Sequence, residues 1–167
     1  MPALPTIKAA LQSSYDTPLE RLVRLQPLME VGVDVYVGQG DEAAEYNPLW
    51  RQIRVLSKDI TDAAILLAHE MGHVLTLTPQ DTMALIDVKV AFDYDEVERE
   101  CKVVYRSEYK AWVMAKWLLS QTDFSDWDEF ERLKGIGLKS YSKPFGFSAP
   151  EISRLQEVVD EVMVNMG

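Results

Sequence analysis

Ala63-Ala64-Ile65-Leu66-Leu67-Ala68-His69-Glu70-Met71-Gly72-His73-Val74-Leu75 is apolar almost throughout, interrupted by two histidines and the glutamate between them. Asp59 or Thr61 can cap the stretch and Pro79 follows it, which predicts a helix from about Asp62 to Leu77. A helix that is apolar all round belongs in a core. The other elements are therefore expected to wrap around this one. Its polar side chains then need partners, because burying an unpaired imidazole or carboxylate is costly.

His69-Glu70-Met71-Gly72-His73 reads H-E-x-x-H, and these are the only two histidines in the chain. Residues i and i+4 lie one turn apart on the same helix face. Two imidazoles so placed can share one Zn²⁺, and the glutamate between them can act as general base toward water. The plain alternative is a pair of core histidines satisfied by hydrogen bonds. The spacing combined with the intervening glutamate favours the metal site. Gly72, between the ligands, predicts a close approach by another element.

Two histidines leave a catalytic zinc short of one protein ligand. With no third histidine and a single cysteine, a carboxylate is expected. Glu108 is the favoured candidate, because it shares one helical face with Val104, Ala111, Trp112 and Ala115. A carboxylate within an apolar face is expensive unless it is paired or binds metal. The plain alternative is a buried ion pair with Arg106 or Arg54. Glu98 and Glu100 are the other candidates. They sit in an acidic helix start that ordinarily complements the helix dipole.

The chain has 167 residues, enough for one domain (1–167) with a sizeable core. Hydrophobic residues make up 47% and charged residues 26%, as in ordinary globular proteins. The net charge of −10 argues against direct nucleic-acid binding, which needs a basic surface. Such a surface suits solubility or a basic protein partner. Cys101 is the only cysteine, which excludes an intrachain disulfide and a Cys-based structural zinc site. Met1-Pro2-Ala3-Leu4-Pro5 lacks the features of a secretory signal. No apolar run approaches the roughly 18 residues of a membrane span. A reducing cytoplasm is the expected compartment.

Residues 1–17 read as a short helix or a loose arm. Thr17-Pro18 resembles an N-cap with proline at N1. Leu19, Leu22, Val23, Leu25, Leu28 and Met29 give a helical stripe to about Glu30, which Gly32 breaks. Val33, Val35 and Val37 alternate with polar residues as in a strand. Gly38-Gln39-Gly40-Asp41 is a turn and Arg51–Leu56 a second strand. Asp87–Phe92 reads as a third strand or as continuing helix. A long helix follows from about Asp95 to Leu119. Asp126 caps a short helix through Leu133, and Gly135–Gly137 and Lys143–Gly146 mark a loop. Ser148 and Glu151 form a capping box for a last helix with inward Ile152, Leu155, Val159, Val162, Met163 and Met166. Trp50, Trp112, Trp117 and Trp127 are expected in core and rim packing. The fold class is α+β: mostly helical, with a small, about three-stranded antiparallel or mixed sheet on the H-E-x-x-H helix.

Two stretches together resemble the ImmA/IrrE-type metallopeptidases, a gluzincin-like group of bacteria, mobile elements and phages. Ala68–Leu75 matches the group's A-H-E-x-G-H-like motif. Glu108–Leu119 matches its later E-x-x-A-x-x-x-A-x-x-L-L-like helix. The metzincin pattern is excluded, since no third histidine follows His73. The resemblance covers about residues 33–119 and leaves 120–167 as a helical C-terminal extension. It implies a zincin-like fold, His69, His73 and Glu108 as zinc ligands, and Glu70 as general base. It also implies cleavage of a protein substrate such as a transcriptional repressor or another regulator of a mobile element or phage. The competing expectation is a non-catalytic zincin-fold protein that binds a regulator through its acidic surface. Arg51–Leu56 can pair with an extended substrate if it is a sheet edge, and is otherwise structural. Tyr141 and Tyr109 both remain open as the oxyanion stabiliser.

Overall fold

The computed structural model describes residues 4–12, 16–28 and 34–164. Expectations resting on Met29, Glu30, Gly32, Val33 and Met166 lie outside the described residues. The described residues form a mostly helical α+β fold with a three-stranded mixed sheet. None of their helices is long and apolar enough to cross a membrane.

The first two helices are short: α1 spans Leu4–Gln12 and α2 Pro18–Val23. Thr17 caps α2 as expected, accepting from the Glu20 N–H. That helix ends sooner than its apolar stripe suggests, and a 3-10 turn, Gln26–Leu28, continues it. Leu22 and Leu25 still reach the core.

The sheet comprises β1 (Asp34–Gly38), β2 (Ala43–Asn47) and β3 (Gln52–Leu56) in the order β1-β3-β2. β3 runs parallel to β1 and antiparallel to β2. Cross-strand pairing aligns Val35 with Ile53 and Val37 with Val55, then Tyr46 with Ile53 and Ala44 with Val55. With side chains alternating along each strand, these six residues share one face. That face packs into the core beneath α3 (Ile60–Thr76). β2 was not foreseen, because Ala43-Ala44-Glu45-Tyr46-Asn47 has little strand propensity. A tight turn makes it a strand. Asn47 Oδ1 accepts from the Leu49 and Trp50 N–H groups at 3.0 and 3.2 Å, and Arg51 takes φ 50°. Trp50 and Leu49 are exposed on that turn, so Trp50 is not a packing residue.

Asp59 caps α3, and of its thirteen residues Ala63–Leu75 all but Leu66 are buried. Pro79 does more than end α3. Thr78 and Asp81 make a capping box, so a new helix, α4 (Pro79–Val90), begins at once. The strand alternative for residues 87–92 therefore gives way to helix as far as Val90, with Ala91 as its C-cap. A 3-10 turn, Tyr94–Val97, leads into the long helix α5 (Glu98–Ser120).

The region 135–146 corrects the expected loop. Helix α6 spans Trp127–Phe145, straight through Gly135 and Gly137. Each glycine costs a helix about 1 kcal/mol relative to alanine. Burial of Phe130, Leu133 and Leu138 on one face offsets that cost. Gly146, at φ 71°, ends the helix in the left-handed conformation. Ser148 and Glu151 then form the expected capping box of α7 (Ala149–Met163).

α5 packs against α3, and the two backbones approach closely at Gly72. A methyl group there would overlap the Ala111 carbonyl oxygen and stand 3.0 Å from its carbon. Gly72→Ala should destabilise the fold by about 3 kcal/mol, the upper end of ordinary overpacking. Urea unfolding checks this, and a loss below about 1 kcal/mol would show that the helices separate freely.

At the start of α3, Asp62 faces Glu129, Asp59 and Glu42. Burial, then the hydrogen bond with and charge of Glu129, push its carboxyl up to about 6. The fold thus holds that proton more tightly than the unfolded chain does. Its stabilising effect is present at low pH and fades as pH rises from about 4 through 6. Asp62→Asn should raise Tm at pH 8 and give no gain at pH 4. Equal effects at the two pH values would contradict the shift.

Candidate metal centre

Three side chains of α3 and one of α5 converge in the core. His69 Nε2 lies 3.1 Å from Glu108 Oε2, and His73 Nε2 lies 3.0 Å from Glu108 Oε1. One carboxylate therefore spans both imidazoles. Glu70 Oε1 stands 3.2 Å from His69 Nδ1. All four residues are 4–9% exposed. The two rings meet edge-on with centroids 4.7 Å apart. The Trp112 indole stacks on the His69 ring at 4.1 Å and 16°, which fixes the ring plane.

The local geometry follows from helical spacing. His69 and His73 share a face because they are one turn apart. Glu108 lies three residues before Ala111, whose carbonyl meets Gly72. The helix crossing thus brings the carboxylate level with both histidines. Trp112 fits behind His69 because Gly137 of α6 leaves room, where a methyl group would stand 3.1 Å from Cζ2 of its ring.

The charges are mutually supporting. Burial opposes ionisation of His69, but hydrogen bonds to Glu108 and Glu70 outweigh it and raise the imidazole to about 9. Burial likewise opposes ionisation of Glu108, yet the His73 charge and hydrogen bonds from both histidines hold its carboxyl well below the usual range. Among the described residues no Lys or Arg pairs with Glu108, so the expected alternative of an Arg106 or Arg54 ion pair does not occur. Glu98 instead pairs with Lys102 at 3.3 Å, and neither it nor Glu100 reaches the cleft.

The donor set suits zinc. Two imidazole nitrogens and a carboxylate are the usual three protein ligands of a catalytic site, with a fourth position open. Bonds of about 2.0–2.2 Å at tetrahedral angles set ligand atoms about 3.4 Å apart. The N···O separations of 3.1 and 3.0 Å need only a small outward shift of the side chains.

The centre forms the floor of a cleft of about 380 Å³. β2 borders it through residues 43–46, α4 through Asp81, Leu85 and Lys89, and α6 through Tyr141. Tyr141 lines the cleft beside Glu108; burial first, then the Glu108 charge, hold its phenol well above the ordinary value and keep it protonated. Tyr109 points elsewhere, donating to Asp160 Oδ1 at 2.9 Å. Of the two tyrosines, Tyr141 alone reaches the centre. Neither Trp112's stacking nor Tyr141's reach could be read from spacing, because both depend on how α5 and α6 pack.

Comparisons with protein-family models, curated proteins and solved structures found no match.

Glu108→Ala strands two buried histidines without their shared carboxylate. Breaking a buried pair costs about 3–5 kcal/mol, so a loss of that order is expected for the metal-stripped protein. Urea unfolding in chelator measures it, and an unchanged midpoint would show that the carboxylate does not hold the histidines.

Proposed function

We propose that this chain is a zinc-dependent metallopeptidase that hydrolyses a peptide bond in a protein substrate. The observation that carries this reading is the Glu108 carboxylate spanning Nε2 of His69 and His73, with Glu70 beside them on the floor of an open cleft. The ImmA/IrrE-type resemblance supplies the substrate class, a transcriptional repressor or a related regulator. With a single cysteine, the compartment we propose is the cytoplasm.

His69, His73 and Glu108 would hold the metal. When bound, zinc supplies Lewis acidity that acidifies water and polarises the scissile carbonyl. Glu70 takes the proton of the attacking water on its carboxylate and returns it to the leaving amine nitrogen. The Tyr141 hydroxyl donates toward the charge that develops on the carbonyl oxygen. Trp112 keeps the His69 ring oriented.

The sheet also bears on substrate binding. β3 is flanked by strands on both sides, so it is not the edge considered from the sequence. The edge beside the cleft is β2. Its outer N–H and C=O groups can pair with an extended peptide and lay it across Glu70.

Purified protein should carry one zinc per chain. Glu70→Gln should keep that zinc and lose cleavage of a proteome-derived peptide library by about 10²-fold or more. Tyr141→Phe should likewise keep the metal and slow cleavage by about 10²-fold. Undiminished cleavage by Glu70→Gln would sink the catalytic reading and leave the non-catalytic binder.

A further inference from the structure

Helix α4 is apolar on two opposite sides. Ala84 and Val88 face inward and are buried. Met83, Ile86 and Val90 recur at i, i+3 and i+7, which places them together on the outer face. They are 66%, 45% and 72% exposed, and Phe92, two residues on, is fully exposed. A surface helix ordinarily turns polar residues to solvent, so a contiguous apolar stripe marks a contact surface.

Position and charge indicate what covers it. Asp81, Leu85 and Lys89 of the same helix line the cleft, so the outer stripe adjoins the cleft wall. The exposed Val158 and Val162 of α7 have no such place, since among the described residues none of α7 lines the cleft. Asp87 lies one turn from Met83 and from Val90 and borders the stripe on the side away from the cleft, while Lys89, one turn from Ile86, borders it on the cleft side. Asp93 and Asp95 follow Phe92, and all three aspartates are exposed. The three aspartates make the outer border and the end of the stripe acidic, and on a chain of net charge −10 this repels a second copy and attracts a basic partner.

We propose that the outer face of α4 docks a helix of a partner protein, apolar where it meets Met83, Ile86, Val90 and Phe92 and bordered by Lys or Arg. An extended segment adjoining that helix then reaches the cleft. Only the identification of this partner as the substrate rests on the peptidase reading.

The test titrates a fluorescein-labelled amphipathic helix of Leu and Lys with the full-length protein and reads anisotropy. A Leu–Glu helix of the same pattern is the control. Binding should be specific to the Leu–Lys helix and weaken with salt. The double variant Ile86→Ser, Val90→Ser should bind about tenfold or more weakly, while Val158→Ser, Val162→Ser binds as the parent does. Both variants change exposed side chains, so thermal unfolding should match the parent. Absence of Leu–Lys binding, equal binding of the Leu–Glu helix or equal affinity in the α4 variant would overturn the proposal. A dimer that the α4 variant dissolves would overturn it too, assigning the face to a second copy. Lost docking with zinc and hydrolysis intact defeats this surface alone, whereas intact docking without zinc or hydrolysis defeats the peptidase reading alone.

Discussion

A side chain at position 72 would overlap the Ala111 carbonyl, so α3 and α5 meet backbone to backbone. The position of every group in the centre follows from that crossing. His69 and His73 flank Gly72 on one helix. Glu108 and Trp112 flank Ala111 on the other. Were the helices separated by even one methyl, the carboxylate would retreat from hydrogen-bonding range of the imidazoles. The glycine of the motif is thus a geometric requirement, and the close approach sets the register in which two helices share one site.

The centre is a costly way to fill a core. Four ionisable side chains lie 4–9% exposed in the middle of the chain's main apolar cluster. Replacing such a buried ionic group with well-packed apolar residues is often neutral or stabilising. Its presence is therefore poorly accounted for by stability alone. The hydrogen bonds that hold Glu108 ionised and His69 charged show how the fold tolerates the group. They also show why the two imidazole nitrogens and the Glu108 carboxylate already point at one another. The same convergence suits a cation placed between them, because it would take over the role now filled by protons.

The sequence made the centre more legible than the scaffold around it. H-E-x-x-H declares itself because two histidines and a glutamate lie within little more than a single turn of helix. Glu108 could be chosen because a lone carboxylate in an apolar stripe is conspicuous. The caps at Asp59, Asp126 and Ser148 were readable for the same reason, since each is a local hydrogen bond. β2 was not readable, because its strand character comes from pairing with β3 and from the Asn47 turn rather than from its own residues. The continuation of α6 was hidden as well. Gly135 and Gly137 look like a break locally, but tertiary packing overrides their helix propensity. At Gly137 the absence of a side chain is what lets Trp112 sit against the helix.

That misreading matters for function, because it concealed how far the site extends. The resemblance to ImmA/IrrE-type peptidases stops near residue 119, which makes residues 120–167 look like an appendage. α6 instead supplies Tyr141, and its Gly137 accommodates the indole that stacks on His69. Leu133 and Ile136 of the same helix also line the cleft. On the opposite side the cleft is bounded by β2, itself invisible to local patterns. The polar side chains of the centre were legible because they obey helical spacing. The cleft walls were not, because they are assembled from segments that meet only in three dimensions. What the cleft can admit is therefore set by α4, α6 and β2 as much as by the motif at its floor.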